Sequence, residues 1–201
     1  MDAKLKNVKK YVKSILMSET TGHDFHHAQR VMNNAVQISK NIEIDLNVVR
    51  VAALTHDLID KKVTTDIMKS ILDLEKTLFE IGYPSIEVTK IIHIIKNISF
   101  SKGSIPDSLE GKIVQDADRL DALGAIGIAR TFAFGGKNNR MIYNPDVKDN
   151  LDSIAHFHEK LLKLKDLMNT KEAKKLAQNR EEYMLGFLNR FYIEWDGKDV
   201  S

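Results

Sequence analysis

Cysteine is absent from the 201-residue chain, and proline and glycine occur only three and ten times. A chain without cysteine forms no disulfide bonds and offers no thiolate to a metal ion. No apolar run approaches the roughly 20 residues that a membrane-spanning helix requires. Residues 1–6 lack the apolar core of a secretory signal peptide. We therefore expect a cytoplasmic protein that does not associate with a membrane.

A strong excess of one charge is also lacking. The chain has 30 Lys and Arg residues against 28 Asp and Glu residues, a formal net charge of +2. This balance argues against tight tracking of a phosphate backbone, so we expect no stable nucleic-acid partner. A hydrophobic fraction of 43% is enough for a core, and the length suits one domain over residues 1–201. A homodimer remains compatible with these numbers.

Long apolar stripes with the helical period of 3.6 residues predict an all-α fold. The first stripe consists of Val8, Val12, Ile15 and Leu16. Side chains suited to helix caps then mark the next starts. They are Asp24 for a second helix that runs to about Asn41, Asp45 for a third, Thr64 or Thr65 for a fourth that ends near Gly82, and Ser85 for a fifth.

The second half of the chain predicts one long helical region, a loop and a helical pair. Asp107 and Glu110 resemble a capping box that opens the sixth helix, in a region that ends at Gly135. Residues 137–149 are polar and predict an exposed loop. Two helices over about 150–168 and 171–193 follow. We therefore expect a helical bundle over about 20–135 with an appended C-terminal helical pair over about 150–195.

Residues 48–60 are apolar for two helical turns and then place His56 beside Asp57. Burying an imidazole and a carboxylate without partners costs several kcal/mol, on the order of the values for isolated polar groups. The pair either bonds to itself and to the backbone or binds a cation. Taken alone, the stretch favours the first interpretation.

Two other helices offer similar side chains. The second begins with His23, His26 and His27, and the sixth carries Asp116, Asp118 and Asp121. On a helical wheel Asp118 and Asp121 share a face while Asp116 points elsewhere. Pairing with Arg119 or Arg130 is the structural alternative for these carboxylates. Imidazole and carboxylate without thiolate suit a divalent ion such as Mn²⁺, Fe²⁺, Mg²⁺ or Zn²⁺.

The order of these motifs is more specific than any one of them. They are residues 22–31, 52–62, 98–103, 114–130 and 156–164. Together they resemble the HD-domain metal-dependent phosphohydrolases, and they are similar to a bacterial branch of nucleoside triphosphate pyrophosphohydrolases. The resemblance covers most of the chain and implies an HD-domain helical bundle.

The resemblance also implies a metal site and a reaction. The implied ligands of one divalent ion are His27, His56, Asp57 and Asp118. Mn²⁺ is the first expectation, with Fe²⁺, Mg²⁺, Co²⁺, Zn²⁺ and Ni²⁺ as alternatives. The implied reaction releases a monophosphate and pyrophosphate from a nucleoside or deoxynucleoside triphosphate. The rivals are a nucleotide monophosphatase or other phosphoester hydrolase, and a non-enzymatic module that binds metal or nucleotide.

The chain departs from the family pattern at one position, and it offers four further candidate residues for catalysis and substrate binding. Relatives often carry a histidine where this chain has Ile98, which argues against a second metal site. Asp60 is the candidate catalytic residue, with a helix-end carboxylate in solvent as the alternative. Arg30, Lys62 and Lys102 are the candidate substrate-binding residues, with solvated surface charges as the alternative.

Overall fold

The structure is a computed structural model that describes residues 3–17, 24–98, 104–146 and 152–198. Throughout these residues the regular secondary structure is helical, which confirms the predicted all-α class. The chain divides into two compact units, residues 1–118 and residues 119–201. None of the described helices is long and apolar enough to cross a membrane.

The first unit is built around a short central helix. Its helices are α1 Ala3–Leu16, α2 Phe25–Ile38, α3 Leu46–Thr55, α4 Ile67–Ile81, α5 Ser85–Asn97 and most of α6 Leu109–Asp121. Helix α3 packs against α1, α2 and α5. Its residues Val48, Val49 and 51–55 are all buried, because it meets neighbours on several sides. The apolar part of residues 48–60, which stands out in the sequence, therefore lies at the centre of this unit.

Local capping explains most of the helix starts in this unit. Asp24 and Asp45 accept hydrogen bonds from the backbone amides of His27 and Val48, as predicted. Gly82 ends α4 with φ of 97°, in the left-handed region that favours glycine. Ile15, expected in the core, is 41% exposed, while Val8, Val12 and Leu16 are buried.

Three predicted starts were wrong by one to three residues. Asp66, rather than Thr64 or Thr65, caps α4 and accepts from the amide of Lys69. Ser85 is the first residue of α5, and Pro84 occupies the cap position. Before α6, the hydroxyl of Ser108 accepts from the amide of Gly111, which replaces the predicted capping box.

The second unit contains the end of α6 together with α7 Gly124–Lys137, α8 Ser153–Glu159 and α9 Lys171–Trp195. The region predicted as one helix up to Gly135 is interrupted, because Gly124 adopts a φ of 72°. The predicted helix over 150–168 was also wrong in form. It consists of α8 and a separate 3₁₀ segment, Leu161–Leu167. Residues 138–146 are non-helical, as expected for the loop.

Aromatic side chains fill the second unit. Phe132 packs against Phe157 and Phe187, with ring centroids 6.0 Å apart in both pairs. Tyr143 contacts Phe191, Tyr192 and Trp195 through edge-to-face geometry. Phe132 and Tyr143 therefore pack within this unit.

Candidate metal centre

His27 enters the site from the first turn of α2. The carboxylate of Asp24 accepts a hydrogen bond from the backbone amide of His27 at 2.7 Å, which fixes the start of the helix. The His27 side chain is 1% exposed. A local sequence signal, the capping aspartate, therefore fixes the helix start that places His27 in the first turn.

His56 and Asp57 enter from the point where α3 tightens. The helix ends at Thr55, whose hydroxyl donates to the carbonyl of Val51 at 2.8 Å, and a 3₁₀ segment His56–Ile59 follows. Consecutive side chains of a regular α-helix diverge by roughly 100°. Here Nε2 of His56 nevertheless lies 3.2 Å from Oδ1 of Asp57. The change of helical form therefore accompanies the meeting of two adjacent side chains.

Asp118 comes from the last turn of α6. The buried amide of Asn34 on α2 donates through Nδ2 to the carbonyl of Ala117 at 3.2 Å. This bond ties the residue before Asp118 to the helix that carries His27. The Asp118 side chain is 36% exposed, whereas those of His27, His56 and Asp57 are at most 6% exposed. Asp118 therefore marks the solvent side of the site.

The distances show which predicted residues meet. Nε2 of His27 lies 3.4 Å from Oδ2 of Asp57 and 3.4 Å from Oδ1 of Asp118. Nε2 of His56 lies 3.8 Å from the same Asp118 oxygen. One ligand atom each from His27, His56 and Asp118 fall within 4.8 Å of one another. The structure thus groups these three residues and places Asp57 beside both imidazoles.

The tautomer of His56 tests whether this group fits a cation. Its Nδ1 lies 2.9 Å from the carbonyl oxygen of Ala53, and a carbonyl only accepts, so Nδ1 carries the proton. In the neutral ring Nε2 then presents a lone pair. That nitrogen is buried, and among the described residues it forms no hydrogen bond. A lone pair aimed at carboxylate oxygens is unfavourable unless a cation lies between them, so the residues fit a divalent ion.

Among the described residues, the candidates Asp60, Lys62 and Arg30 are not part of this three-residue group. Oδ1 of the half-buried Asp60 accepts a hydrogen bond from the backbone amide of Lys62 at 2.8 Å, which closes a turn. The Lys62 side chain is exposed, and Arg30 is half-buried on α2, three residues after His27. Lys102 lies outside the described residues.

Several other polar residues have structural partners instead. Asp121 pairs with Arg130 at 2.7 Å, which is one of the alternatives that the sequence left open. Asp116 is fully buried and is not part of the three-residue group. Ile98 is a core residue at 6% exposure, and His93 pairs with Asp107 at 3.0 Å. His93 is therefore engaged in an ion pair with Asp107 and is not part of the group of His27, His56 and Asp118.

Sequence reasoning missed Asn34. A buried amide seven residues after His27, on the apolar face of the same helix, was the available signal. Its partner, the carbonyl of Ala117, lies 83 residues away in the chain, so the pairing had no local sequence mark. Asn34 links two of the helices that supply the candidate ligands.

Known proteins share this arrangement of helices and motifs. The HD domain family model matches residues 24–123, a range that includes all four predicted ligands. YpgQ, an uncharacterized protein of Bacillus subtilis strain 168, is 41% identical over 198 residues, covering 96% of this chain and 95% of YpgQ. The chain therefore belongs to the HD-domain superfamily.

Solved structures agree with this assignment. The crystal structure of Bacillus subtilis YpgQ in complex with ADP has a TM-score of 0.83 at 40% identity, over 97% of this chain and 100% of that one. An HD-superfamily hydrolase from Bacillus thuringiensis has a TM-score of 0.82 at 41% identity, over 96% and 97% of the two chains. Within the superfamily, this protein is a metal-dependent phosphohydrolase.

Proposed function

We propose that the protein hydrolyses nucleoside and deoxynucleoside triphosphates to the monophosphate and pyrophosphate. The observation that carries the hydrolytic part is the group of the buried His27 and His56 with the partly exposed Asp118, in which Nε2 of His56 faces carboxylate oxygens. The nucleotide part is supported by the relative that was solved with ADP. The triphosphate preference rests on the resemblance to pyrophosphohydrolases.

In this proposal His27, His56, Asp57 and Asp118 hold one divalent ion, and Mn²⁺ is our first choice. Such an ion supplies Lewis acidity, which lowers the pKa of water and polarises a phosphoryl oxygen. The hydrogen bond from His56 to Ala53 keeps the ring oriented and leaves Nε2 available as a ligand. The exposure of Asp118 gives water and substrate a side from which to enter.

Asp60 is the residue that we propose for proton transfer. Its Oδ1 is held by the amide of Lys62, so its Oδ2 is the atom that would accept a proton from the attacking water. An Asp60→Asn variant keeps an oxygen that can accept the turn hydrogen bond and removes the base. Asp60→Ala removes both. Equal activity in the wild type and the Asn variant would exclude this role.

Arg30, Lys62 and Lys102 are proposed to bind the phosphates. A triphosphate carries more negative charge than one divalent ion neutralises, so cationic side chains are needed beside it. Arg30 follows His27 by three residues on α2, and Lys62 closely follows the segment that carries His56 and Asp57. Their charges therefore belong to the same chain segments as three of the proposed ligands.

The decisive experiment identifies the leaving group. Protein loaded with Mn²⁺ is incubated with nucleoside and deoxynucleoside triphosphates in H₂¹⁸O, and the products are analysed by ³¹P NMR and mass spectrometry. Water attack on the α-phosphorus breaks the bond to the bridging oxygen, so ¹⁸O appears in the monophosphate and pyrophosphate leaves. Release of inorganic phosphate and a diphosphate would contradict the proposal. Phosphate released only from nucleoside monophosphates, assayed in parallel, would favour the monophosphatase. An Asp57→Ala sample controls for contaminating hydrolases.

Location and assembly also remain proposals. A cytoplasmic location is expected from the sequence, and a homodimer is an open alternative to the monomer. Light scattering on the purified protein, with and without Mn²⁺, measures the mass directly. A mass near 22.9 kDa would exclude the dimer under those conditions.

A further inference from the structure

Helix α4 has apolar side chains on two sides, and the structure buries only one of them. The helix packs against α1, α5 and the 3₁₀ segment His56–Ile59. Its buried side chains are Ile71, Leu74 and Leu78, which lie on one face at helical spacing. The other large apolar residues of α4 are therefore not part of this core.

A second apolar stripe, hereafter the α4 stripe, consists of Met68, Leu72 and Phe79. Their spacings of four and seven residues place them on one side of the helix, over about 16 Å of its length. The three side chains are 51–66% exposed. Exposed apolar residues are ordinary when they are scattered singly, but a contiguous apolar surface is typical of a site that binds another molecule.

Four charged residues run alongside the α4 stripe with alternating signs. They are Lys69, Asp73, Lys76 and Glu80, at spacings of four, three and four residues. Nζ of Lys69 lies 2.6 Å from Oδ2 of Asp73, and Nζ of Lys76 lies 3.9 Å from Oε1 of Glu80. All four side chains are exposed, so these pairs within the helix contribute little stability and can exchange partners readily.

We propose that the α4 stripe binds the α4 stripe of a second copy of this chain, with the two helices antiparallel. The four charged positions are symmetric about the midpoint between residues 74 and 75, and reversing the helix inverts the order of their signs. Lys69 of one copy therefore faces Glu80 of the other, and Asp73 faces Lys76. A two-fold axis repeats both contacts, so four opposite-charge pairs lie along one edge of the apolar contact.

The charges favour the antiparallel arrangement over a parallel one. In a parallel pair related by a two-fold axis, the two charged rows lie on opposite edges of the contact and do not meet. In the antiparallel pair the two rows share one edge, where every cation has an anion opposite it. The charge pattern of α4 is therefore complementary to itself in one direction only.

Glu75 lies between Leu72 and Phe79 in the sequence of the stripe and next to the midpoint of the charge pattern. In the antiparallel pair the two Glu75 carboxylates come close to each other, and like charges at short distance weaken association. A contact limited to one helix is also small, and small interfaces are typical of weak, reversible association. We therefore expect a dimer that dissociates on dilution.

The test measures the mass of the full-length protein by sedimentation over a wide range of micromolar concentrations. The mass should rise with concentration from 22.9 kDa towards twice that value. Leu72→Gln and Phe79→Gln should each weaken the dimer at least about tenfold, because each removes an apolar contact from both copies. Glu75→Gln should tighten it at least about twofold, since the repulsion is removed.

Two controls accompany these variants. Leu185→Gln replaces a leucine of α9 that is 47% exposed, and it should leave the dimer affinity unchanged. Circular dichroism of each variant checks that the fold is kept, as expected for substitutions at exposed positions.

Charge reversal tests the direction of the two helices. Lys69→Glu and Glu80→Lys should each weaken the dimer about fivefold, because two opposite-charge pairs become like-charge pairs. The double variant restores opposite charges between the copies and should recover the wild-type affinity within about twofold. Within each helix it still places like charges beside Asp73 and Lys76, so a role confined to one helix predicts no recovery.

A protein that stays monomeric over the whole concentration range would overturn the proposal. A dimer that keeps its affinity in Phe79→Gln, or that dissociates in Leu185→Gln instead, would overturn it as well. A double variant that is no tighter than the single variants would exclude the antiparallel contact, because positions 69 and 80 would not face each other. Turnover is not measured, so these outcomes are independent of the proposed reaction.

Discussion

Two His–Asp pairs have similar distances between the imidazole nitrogen and the carboxylate oxygen but lie in different surroundings. His56 and Asp57 are 3.2 Å apart, and His93 and Asp107 are 3.0 Å apart. The side chains of the first pair are 5% and 6% exposed, and those of the second are 51% and 73% exposed. His93 forms a hydrogen bond with Asp107 through Nε2. Among the described residues His56 forms none through the same atom, and its Nδ1 lies 2.9 Å from the carbonyl oxygen of Ala53.

The comparison shows that residue type and distance do not define a metal site. The exposed pair is satisfied by its own hydrogen bond and by water, and contributes little to stability. The buried pair lies beside a second imidazole and a second carboxylate, and its side chains are almost inaccessible to bulk solvent. Burial and the orientation of the imidazole distinguish these candidate ligands from an ordinary ion pair.

The largest expected effect is the loss of the buried carboxylate. We expect Asp57→Ala to weaken metal binding about 100-fold or more and to remove activity, because a ligand and its charge are lost. Asp107→Ala is the matched control and should keep both. Circular dichroism, bound-metal analysis and turnover are measured on one sample. If the Asp57 variant kept its specific activity in the folded fraction, Asp57 would be only a structural partner of His56.

Removing the metal should lower the stability of a protein that keeps the His56–Asp57 pair, whether or not it keeps the His93–Asp107 pair. A metal at about 100 times its Kd stabilises the folded state by about 2.7 kcal/mol, and its removal should lower Tm by about 5–10 °C. We therefore expect a chelator to lower the Tm of the wild type and of Asp107→Ala. Asp57→Ala should show almost no response. Equal responses in all three proteins would place the ion elsewhere.

Variants of Arg30 and Lys62 test whether cationic side chains outside the His56–Asp57 pair are needed to neutralise the triphosphate. Each substitution by alanine should slow triphosphate turnover about 10- to 100-fold, since a charged hydrogen bond contributes about 1.5–3 kcal/mol. A singly charged phosphodiester should be affected less. Steady-state kinetics with both substrates provide the test. Equal slowing, or none, would leave these residues as surface charges.

Asn34 and Asn97 each donate a side-chain hydrogen bond to a backbone carbonyl, the first near the buried His–Asp pair and the second near the exposed pair. Asn34 donates to the carbonyl of Ala117, next to Asp118, and Asn97 donates to the carbonyl of His93 at 2.9 Å. We expect Asn34→Ala to weaken metal binding about tenfold through a displaced Asp118, as for other residues that orient ligands. Asn97→Ala should not change it. Calorimetric titration of both folded variants checks this, and matching affinities would refute the positioning role.

The smallest expected effect concerns the exposed pair and pH. The hydrogen bond from His93, followed by the amide of Ser108, holds the pKa of Asp107 below its ordinary value of 3.8. The unfolded state thus binds the proton more readily, so this contribution is present above that value and is lost as pH falls through the lowered pKa. Asp107→Asn should be slightly less stable than the wild type at pH 5.

Urea unfolding of both proteins at pH 5 and at pH 3 measures this difference. The gap between Asp107→Asn and the wild type should narrow at the lower pH. A gap that widens as the pH falls would contradict the direction given by the hydrogen bond.

Local capping was predicted where one candidate side chain stood alone. Asp24 and Asp45 are such cases, because the acceptor and the amide that it binds are three residues apart. The start of α4 was misplaced among three consecutive residues that can all cap a helix, namely Thr64, Thr65 and Asp66. The structure uses Asp66, and aspartate is the stronger N-cap residue. The break at Gly124 was missed because its positive φ is not encoded by an apolar pattern.

The sequence by itself determined the all-α class, the central apolar helix and the residue types suited to a divalent ion. These follow from helical periodicity and from the donor chemistry of histidine and aspartate. The HD-domain resemblance singled out His27, His56, Asp57 and Asp118 from the other histidines and carboxylates.

The tertiary structure decided which of these side chains meet. His27, His56 and Asp118 come from three helices far apart in the chain, and an apolar stripe shows which face is buried but not against which helix. The contact between Asn34 and Ala117 likewise joins residues 83 apart. The attachment of residues 141–142 to the start of α8 depends on backbone hydrogen bonds that no side-chain pattern records.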